Sequence, residues 1–449
     1  MSMLEDDSLK ALAAALAQLD AGFSALPELA HTSDPRIETV LNEVAARLAG
    51  DYPYFHPLYA GQMLKPPHPV ARAAYALAMW LNPNNHALDG GRASSQMEVE
   101  AVAALAEMFR FPQHLGHLTG GSTMANLEAL WVASKLAPGK KIVASAQAHY
   151  THSRICGVLG IEFASIATES DGRMSLTALR AALEEGSVGT VVATLGTTAT
   201  GAVDSLDEIL ALHKEFGFRI HVDAAYGGYF TLAASLAPHT RAAFDAIAHA
   251  DSIVIDPHKH GLQPYGCGCV LFRDPGLGRF YKHDSPYTYF TSGELHLGEI
   301  SLECSRPGAA AVALWATQLL LPMVPGGEFA RGLDASLAAA RALHSRLAKD
   351  SRFILPSAPP QLDIVIWSMS ATDIAASSAK ARQVMEAAAQ RGLHLALANL
   401  PVELFPAGTW PASANQSANV TCLRSVLMKA EHAEWLDQIW CRLNEAATS

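Results

Sequence analysis

The stretch "DSIVIDPHKHGLQPYGCGCVLF", Asp251–Phe272, places a lysine between two apolar runs. The runs "SIVIDP" and "GCVLF" are short and rich in apolar residues, a pattern typical of strands that are buried on both faces. Lys259 lies in the segment that joins them. The stretch therefore predicts two buried strands with a lysine at the carboxyl end of the first.

Two kinds of site are compatible with the residues around this lysine. His258 and His260 flank Lys259, and Cys267 and Cys269 follow, so the spacing permits a tetrahedral metal centre. However, Lys259 would then be an uncompensated charge inside the cluster. The two cysteines begin an apolar strand, where cysteine behaves as a small hydrophobic residue. We therefore expect no metal here, and a lysine that performs covalent chemistry.

Similar apolar runs recur before this stretch. "KIVASA" begins at Lys141, "TVVATLG" at Thr190 and "RIHVDAA" at Arg219. Between several of the runs lie segments such as "SLDEILALHKEFG", which have helical periodicity and end in glycine. Buried strands joined by helices predict an α/β fold with a mostly parallel sheet and helices on both faces. Ligands of such sheets bind beyond the carboxyl ends of the strands.

The pattern divides the chain into three parts. Residues 1–65 combine helical periodicity with a proline-rich loop and predict an N-terminal helical segment. Residues 66–330 contain the alternating strands and helices of a large α/β domain. Residues 331–449 begin with a long helical stretch and include the strand-like runs "LDIVIWSM" and "NVTCLRSVLM". They predict a small C-terminal α+β domain.

Composition excludes several classes of partner. The chain has 449 residues, of which 50% are hydrophobic and 17% charged, as in compact globular proteins. Its net charge of -11 and the lack of a basic run argue against nucleic acid, whose binding depends on clustered lysine and arginine. The acidic N-terminus does not resemble a secretory signal. Six scattered cysteines are typical of reduced thiols, so we expect a cytoplasmic protein.

The most apolar window predicts a buried helix and not a membrane span. It begins at Gly308 and reads "GAAAVALWATQLLLPMV". Thr317, Gln318 and Pro322 interrupt it, and it is short for a bilayer, which needs about 20 apolar residues. We therefore expect no membrane partner.

Three groups at strand ends and one at a helix start supply what pyridoxal phosphate requires. Lys259 would form an imine, and Asp223 at the end of "RIHVD" would hold the pyridine nitrogen protonated. Thr198 follows a third strand. The run "TGGST", Thr119–Thr123, precedes a helix whose N-terminal N–H groups would bind the phosphate. Each group alone has an ordinary structural interpretation, but together they predict a site for this cofactor.

These motifs resemble a known family. "HVDAAYGGYF", His221–Phe230, followed by Asp251–Phe272 is similar to the pyridoxal-phosphate-dependent group II amino-acid decarboxylases, which include aromatic amino-acid, tyrosine and glutamate decarboxylases. The segments "TGGSTMANLEAL", "AQAHYTHSRICGVLG", "ATLGTTATGAVDSLDEI" and "CLRSVLM" extend the resemblance from about Tyr54 to Met428. It implies a fold type I, aspartate-aminotransferase-like architecture and a homodimer whose active site lies at the subunit interface.

The resemblance also implies the residues of the site. Lys259 matches the lysine that forms the imine, Asp223 the partner of the ring nitrogen, and His149 the histidine that stacks on the ring. Ala225 matches the small residue that packs against the ring, and His258 matches a histidine that contacts the phosphate. The expected cofactor-binding residues are Gly121, Ser122, Thr123, His149, Thr198, Asp223, Ala225, His258 and Lys259.

Three departures from the family pattern concern the substrate and the last proton transfer. His260 stands where many members have tryptophan, and Gly266 where an acidic residue is frequent. The segment after the strands, which begins "GRFYKHDSPYTYF", has no clean match to the mobile loop whose tyrosine donates a proton. Within it we select Tyr287 as the catalytic proton donor, with Tyr289 and Tyr281 as second choices.

The predicted function is that of an enzyme, a carboxy-lyase that converts an L-amino acid to the amine and CO2 with pyridoxal phosphate. An aldol-type carbon–carbon lyase similar to sphingosine-phosphate lyase and an aminotransferase remain alternatives on the same fold. Intact Lys259 and Asp223 disfavour a non-catalytic binding protein. Arg306 and Arg424 are candidates for binding a substrate carboxylate, and each is equally compatible with a structural salt bridge.

Overall fold

The computed structural model contains two β-sheets surrounded by helices. It describes residues 7–27, 33–86, 88–282, 300–410 and 419–448. The strands of the larger sheet are β1 (Leu115–Thr119), β2 (Lys141–Ser145), β3 (Phe163–Ile166), β4 (Val188–Thr194), β5 (Arg219–Asp223), β6 (Ser252–Ile255) and β7 (Gly268–Phe272). Their order is β1-β7-β6-β5-β4-β2-β3.

The larger sheet is mostly parallel. Strands β3, β2, β4, β5 and β6 run in the same direction. β7 is antiparallel to β6, with Val254 opposite Val270, and β1 is antiparallel to β7. The stretch Asp251–Phe272 therefore spans neighbouring antiparallel strands, with Lys259 in the connection between them. The predicted α/β fold with a mostly parallel sheet is confirmed.

Thirteen helices lie in the described ranges. They are α1 (Ser8–Gly22), α2 (Arg36–Leu48), α3 (Pro69–Met79), α4 (Arg92–Met108), α5 (Ser122–Leu136), α6 (Thr151–Leu159), α7 (Leu176–Glu184), α8 (Leu206–Phe216), α9 (Pro238–Asp245), α10 (Gly308–Leu320), α11 (Glu328–Leu347), α12 (Ile374–Gln390) and α13 (Leu436–Ala446).

Helices cover both faces of the larger sheet, as the sequence predicts. Ile253 of β6 belongs to an apolar cluster that includes Leu105 of α4 and Ile209 of α8. The next residue, Val254, packs in a different cluster with Ala125 of α5. Because successive side chains of a strand point to opposite faces, these two clusters lie on the two sides of the sheet.

The smaller sheet contains the last strands of the chain. These are β8 (Phe353–Ile354), β9 (Ile364–Met369), β10 (Ala396–Pro401) and β11 (Asn419–Val426), in the order β10-β11-β9-β8 and antiparallel throughout. Helices α11 and α12 contact β9, and α12 also contacts α13. The largest apolar cluster contains Leu195 after β4 together with Ile364 of β9, so the core is continuous between the two sheets.

Helix α10 corresponds to the most apolar window of the sequence. Leu314 and Ala313 are fully buried, and α10 packs against α3 and α4. Among the residues that the structure describes, no helix is long and apolar enough to cross a membrane.

Candidate active site

The carboxyl ends of β4, β5 and β6 lie side by side and carry the residues predicted to do chemistry. Asp223 is the last residue of β5. Lys259 follows β6 by four residues, and Thr198 follows β4 by four. Because the three strands are parallel neighbours, their carboxyl ends meet at one edge of the sheet. The expectation that these residues share one edge is confirmed.

A cleft with an empty volume of about 380 Å³ opens at this edge. Its lining residues are Ser122, Asn126, His149, Thr151, Thr194, Gly196, Thr198, Asp223, Ala225, Tyr226 and Lys259. Six of them belong to the set predicted from the sequence. Of the remaining predicted residues, Gly121 directly precedes Ser122, Thr123 is exposed, and His258 lies beside Gly121.

Asp223 is a buried carboxylate with two hydrogen-bond donors. Its Oδ2 atom lies 2.9 Å from Nε2 of His152, and its Oδ1 atom accepts a hydrogen bond of 3.1 Å from the backbone N–H of Ala225. Burial by itself raises the pKa of Asp223, but the hydrogen bond and charge of His152, with the charge of Lys259, lower it well below its usual range. Asp223 is therefore ionised and can stabilise a cationic partner in the cleft.

Lys259 reaches the cleft with a second carboxylate beside it. Its Nζ atom lies 3.0 Å from Oδ2 of Asp256, and one fifth of the lysine side chain (20%) remains exposed. Asp256 is almost completely buried. The carboxylate therefore holds the amine in place near the mouth of the cleft.

The N-terminus of α5 forms one wall of the cleft. Gly121, with φ of +151°, is the residue before the helix, and the next backbone N–H, that of Ser122, donates to Oδ1 of Asp256 at 2.7 Å. Gly268 approaches this turn so closely that a Cβ there would lie 2.5 Å from the carbonyl carbon of Gly121. A side chain at that position would displace the loop, so the close approach requires glycine.

Two histidines predicted from the sequence flank these groups. His149 lines the cleft, and its Nδ1 atom accepts a hydrogen bond from the backbone N–H of Thr151. Nδ1 of His258 donates to the carbonyl of Cys267 at 2.8 Å, and Tyr265 stacks beside the His258 ring. Burial lowers the pKa of both His149 and His258. Both imidazoles are therefore mainly neutral near pH 7.

The other groups of the possible metal centre point elsewhere. His260 is fully buried, with Nε2 at 3.2 Å from Oδ2 of Asp363, and the hydroxyl of Tyr226 donates to Oδ1 of Asp363 at 2.5 Å. Cys267 and Cys269 are buried, and burial raises the pKa of both thiols. Within the described residues, no group of three or more His, Cys, Asp or Glu side chains is arranged to hold a metal ion.

The two arginines singled out as carboxylate clamps have structural roles. Arg306 is buried and pairs with Glu98 at 2.5 Å. Arg424 donates to the backbone carbonyls of Thr198 and Ala199, and so connects β11 to the loop after β4. Neither side chain lines the cleft.

Of the three tyrosines considered as proton donors, the structure describes one. Tyr287 and Tyr289 lie outside the described residues. Tyr281 packs against Trp131 and Phe272 in a buried cluster away from the cleft, and burial raises the pKa of its hydroxyl. Tyr281 is therefore a poor donor for chemistry in the cleft.

Three residues that line the cleft or contact its predicted groups were missed by the sequence analysis. His152 follows His149 by three residues at the start of α6, and this spacing could have indicated that His152 also lies near the cleft. Asp256 precedes Lys259 by three residues and lies in the stretch Asp251–Phe272. Asn126 lies one helical turn after Ser122, so both face the cleft, and the buried His221 contacts its side chain at 2.8 Å.

Comparison with known proteins agrees with this geometry. Residues 51–369 match the family model described as the pyridoxal-dependent decarboxylase conserved domain. The chain is 29% identical to the L-tyrosine decarboxylase of Enterococcus faecium, over 77% of this chain and 74% of that protein. It is 30% identical to a probable L-tyrosine/L-aspartate decarboxylase of Methanocorpusculum labreanum, over 63% of this chain and 75% of that one. Identity with the L-2,4-diaminobutyrate decarboxylase of Rhizobium meliloti is 31%, over 67% and 63% of the two chains.

Solved structures share the fold. The crystal structure of Oryza sativa TDC with PLP and tryptamine superposes with a TM-score of 0.79 at 18% identity, covering 100% of this chain and 99% of the other. Mouse CSAD superposes with a TM-score of 0.79 at 22% identity, covering 97% and 91% of the two chains. The predicted fold type I architecture is confirmed by these likenesses.

Proposed function

This chain belongs to the family of pyridoxal-dependent decarboxylases, and on that premise we propose that Lys259, Asp223 and His149 carry its reaction. The reaction is the pyridoxal-phosphate-dependent decarboxylation of an L-amino acid to the amine and CO2. One observation supports the proposed roles above all others: a lysine amine, a buried ionised carboxylate and the N-terminal residue of a helix line the same cleft.

The residues of the cleft fit the cofactor by the chemistry of their donors. The first turn of α5 offers backbone N–H groups, which bind oxyanions, and the hydroxyl of Ser122 adds a donor. Asp223 offers a fixed negative charge for a protonated ring nitrogen. The small side chain of Ala225 leaves room for a flat ring, and His149 offers a flat surface for stacking. We propose Gly121, Thr123, Thr198 and His258 as further contacts.

When bound, pyridoxal phosphate supplies an electron sink for the pair of electrons left behind as CO2 departs. Asp223 keeps a proton on the ring nitrogen because its carboxylate stays ionised in a buried place. Lys259 supplies the amine nucleophile, and Asp256 orients it. His149, which is largely neutral, excludes water from one side of the cleft without adding a charge.

We propose that Tyr287 donates the proton that replaces CO2 at Cα. It stays a prediction made from the composition of its segment, "SPYTYF". A general acid at this step is worth roughly 10² to 10⁴ in rate. His149 and Lys259, which both line the cleft, are the alternative donors among the described residues.

We propose L-tyrosine, and not L-aspartate, as the first substrate to test. The relatives named above act on tyrosine, aspartate or diaminobutyrate by their names. An acidic side chain needs a cationic partner, and both Arg306 and Arg424 are already held by structural contacts. A phenol needs only apolar contact and a hydrogen-bond partner.

We also propose an oligomeric state and a cellular location for this protein. Helix α2 presents an apolar stripe at helical spacing to solvent, with relative exposures of 44–61%. Its members are Ile37, Val40, Leu41, Val44 and Leu48. We propose that a second copy of the chain covers the stripe in a homodimer, in the cytoplasm. Sedimentation of the wild type and of Leu41→Glu tests the dimer, since a charge in the stripe should shift the protein toward the monomer.

We also propose that the chain divides into three parts, with boundaries at residues 65 and 330.

The chemical proposal is tested by trapping the imine. Borohydride reduction followed by peptide mapping should find the cofactor on Lys259, and Lys259→Ala should fold but lose the imine absorbance. A substrate panel with separate detection of CO2, aldehyde and keto acid distinguishes decarboxylation from aldol cleavage and transamination. Imine absorbance retained in Lys259→Ala would contradict the assignment of the lysine.

A further inference from the structure

Asp256 contacts three groups of the candidate site at once. Its Oδ1 atom accepts a hydrogen bond from the backbone N–H of Ser122 at 2.7 Å. Its Oδ2 atom lies 3.0 Å from Nζ of Lys259 and 3.5 Å from Nε2 of His258. The side chain is only 2% exposed. A buried carboxylate therefore bridges the N-terminus of α5 and the lysine.

The loop before α5 and the first residue of α5 each bind a carboxylate of the same chain. Ser122 donates its N–H to Asp256, and Gly120 donates its N–H to Oε2 of Glu303 at 3.0 Å. The N-terminus of a helix attracts anions because its first N–H groups lack partners within the helix. Two of the N–H groups that a phosphate could use at this helix start are thus already bound by carboxylates.

We propose that Asp256 is a positioning residue that competes with the phosphate of the cofactor for the N-terminus of α5 and holds the amine of Lys259. The inference rests on the phosphate-binding role proposed above for this loop. It assigns Asp256 a second effect, which is to make phosphate binding weaker than the loop alone would allow. Asp256 therefore weakens the binding of the phosphate and at the same time holds the amine of Lys259 in position.

The geometry allows the two effects to be separated by atom. Oδ1 faces Ser122, and Oδ2 faces Lys259 and His258. When a phosphate oxygen takes the N–H of Ser122, only the contact of Oδ1 must be given up, and Oδ2 need not move away from Nζ of Lys259. Two anions at a buried place repel each other more strongly than in water, since the surroundings screen them weakly.

A comparison of pyridoxal phosphate with pyridoxal isolates the phosphate contribution. Both compounds form an imine with Lys259, but only one has a phosphate. The ratio of the dissociation constant of pyridoxal to that of pyridoxal phosphate therefore cancels any effect of a substitution on the lysine. The ratio is measured on the full-length protein by equilibrium dialysis after cofactor exchange, and it does not depend on turnover.

The test variant is Asp256→Asn, which keeps an acceptor oxygen for Ser122 but removes the charge. We expect the ratio to rise about tenfold or more, because a like charge next to the phosphate is lost. Glu303→Gln is the matched control: Glu303 binds the same loop at a more exposed place, where solvent screens the charge. Its ratio should change by less than about threefold.

The outcomes separate this inference from the proposed function. A wild-type ratio near one would show that the loop does not bind the phosphate, and this inference would fail with that role of the loop, while imine trapping would still test Lys259 separately. A large wild-type ratio that Asp256→Asn leaves unchanged or lowers would make Asp256 a structural tether and overturn this inference alone. Asp256→Ser also keeps an acceptor without the charge, and the ratio is measured on this variant if Asp256→Asn does not fold.

Discussion

Nε2 of His152 lies 2.9 Å from Oδ2 of Asp223, and both side chains are buried at the base of the cleft. The carboxylate would be costly to bury alone, and the imidazole is the partner that keeps it ionised. The strand residue that touches the cleft therefore depends on a helix residue behind it. Asp223 and His152 should accordingly be treated as one unit.

We predict that His152→Leu lowers kcat by roughly 10- to 100-fold, which is the loss of a hydrogen bond to a charged group. The pKa of Asp223 should rise without its partner, because burial is then opposed only by the charge of Lys259 and the hydrogen bond from Ala225. Activity should therefore be lost at a higher pH on the acid side of the profile. His152→Gln, which retains a donor, should restore part of the rate. An acid limb that does not move in His152→Leu would make His152 merely structural.

We predict that Asp223→Asn retains the cofactor but slows the chemical step by about 10² to 10³, as for the loss of one preorganised group elsewhere. An amide cannot balance the charge of a protonated ring nitrogen. Single-turnover CO2 release and cofactor content, measured on the same preparation, separate the two effects. Turnover equal to wild type would assign Asp223 to structure alone.

The strands next to the cleft could be predicted because they lie in short runs rich in apolar and β-branched residues, most clearly in β6, "SIVI", and β7, "GCVLF". β5, β6 and β7 match the runs that begin at Arg219, Ser252 and Gly268. β1, "LGHLT", was not predicted, since only its two leucines are large and apolar; the structure buries its His117 with Nε2 at 2.9 Å from Oε2 of Glu128. β10, "ALANLP", is held by pairing with β11, which the local sequence does not reveal.

The part of the site that the strands carry could also be predicted from the sequence. Asp223 ends β5 and Lys259 follows the neighbouring strand β6 by four residues, so the sheet alone brings them together. The contact of His152 with Asp223 joins residues 71 positions apart, and that of Asp256 with Ser122 joins residues 134 positions apart. Such contacts depend on how α5 and α6 pack on the sheet, and no local periodicity encodes that.

We predict that Tyr287→Phe lowers amine formation while the cofactor stays bound, and that part of the substrate is diverted to an aldehyde. Loss of a general acid should reduce the rate by roughly 10² to 10⁴. Tyr281→Phe is the matched control, since its ring is buried against Trp131 and Phe272 and does not line the cleft. Wild-type amine yield in Tyr287→Phe, with Tyr289→Phe equally silent, would move the role to His149 or Lys259.

One buried lysine, Lys429, lies outside the cleft. Lys429 is 4% exposed, and its Nζ atom donates to the carbonyl of Tyr59 at 2.6 Å. Burial, with the nearby charge of Lys65, lowers the pKa of Lys429 from its ordinary 10.5 to about 7. In the unfolded chain the amine keeps its proton up to its ordinary pKa, so folding requires the loss of a proton between these values.

The sign of the pH dependence follows from that difference. Below about pH 7 the folded protein carries the full cost of a buried charge, and the cost is relieved as the pH rises from about 7 toward 10.5. The unfolding free energy of the wild type should therefore rise relative to Lys429→Met by up to about 1.4 kcal/mol per pH unit in this window. Urea unfolding at pH 7, 8 and 9 measures the difference, with Lys349→Met at an exposed position as the control. A difference between wild type and Lys429→Met that stays constant from pH 7 to 9 would show that Lys429 keeps its ordinary pKa in the folded protein.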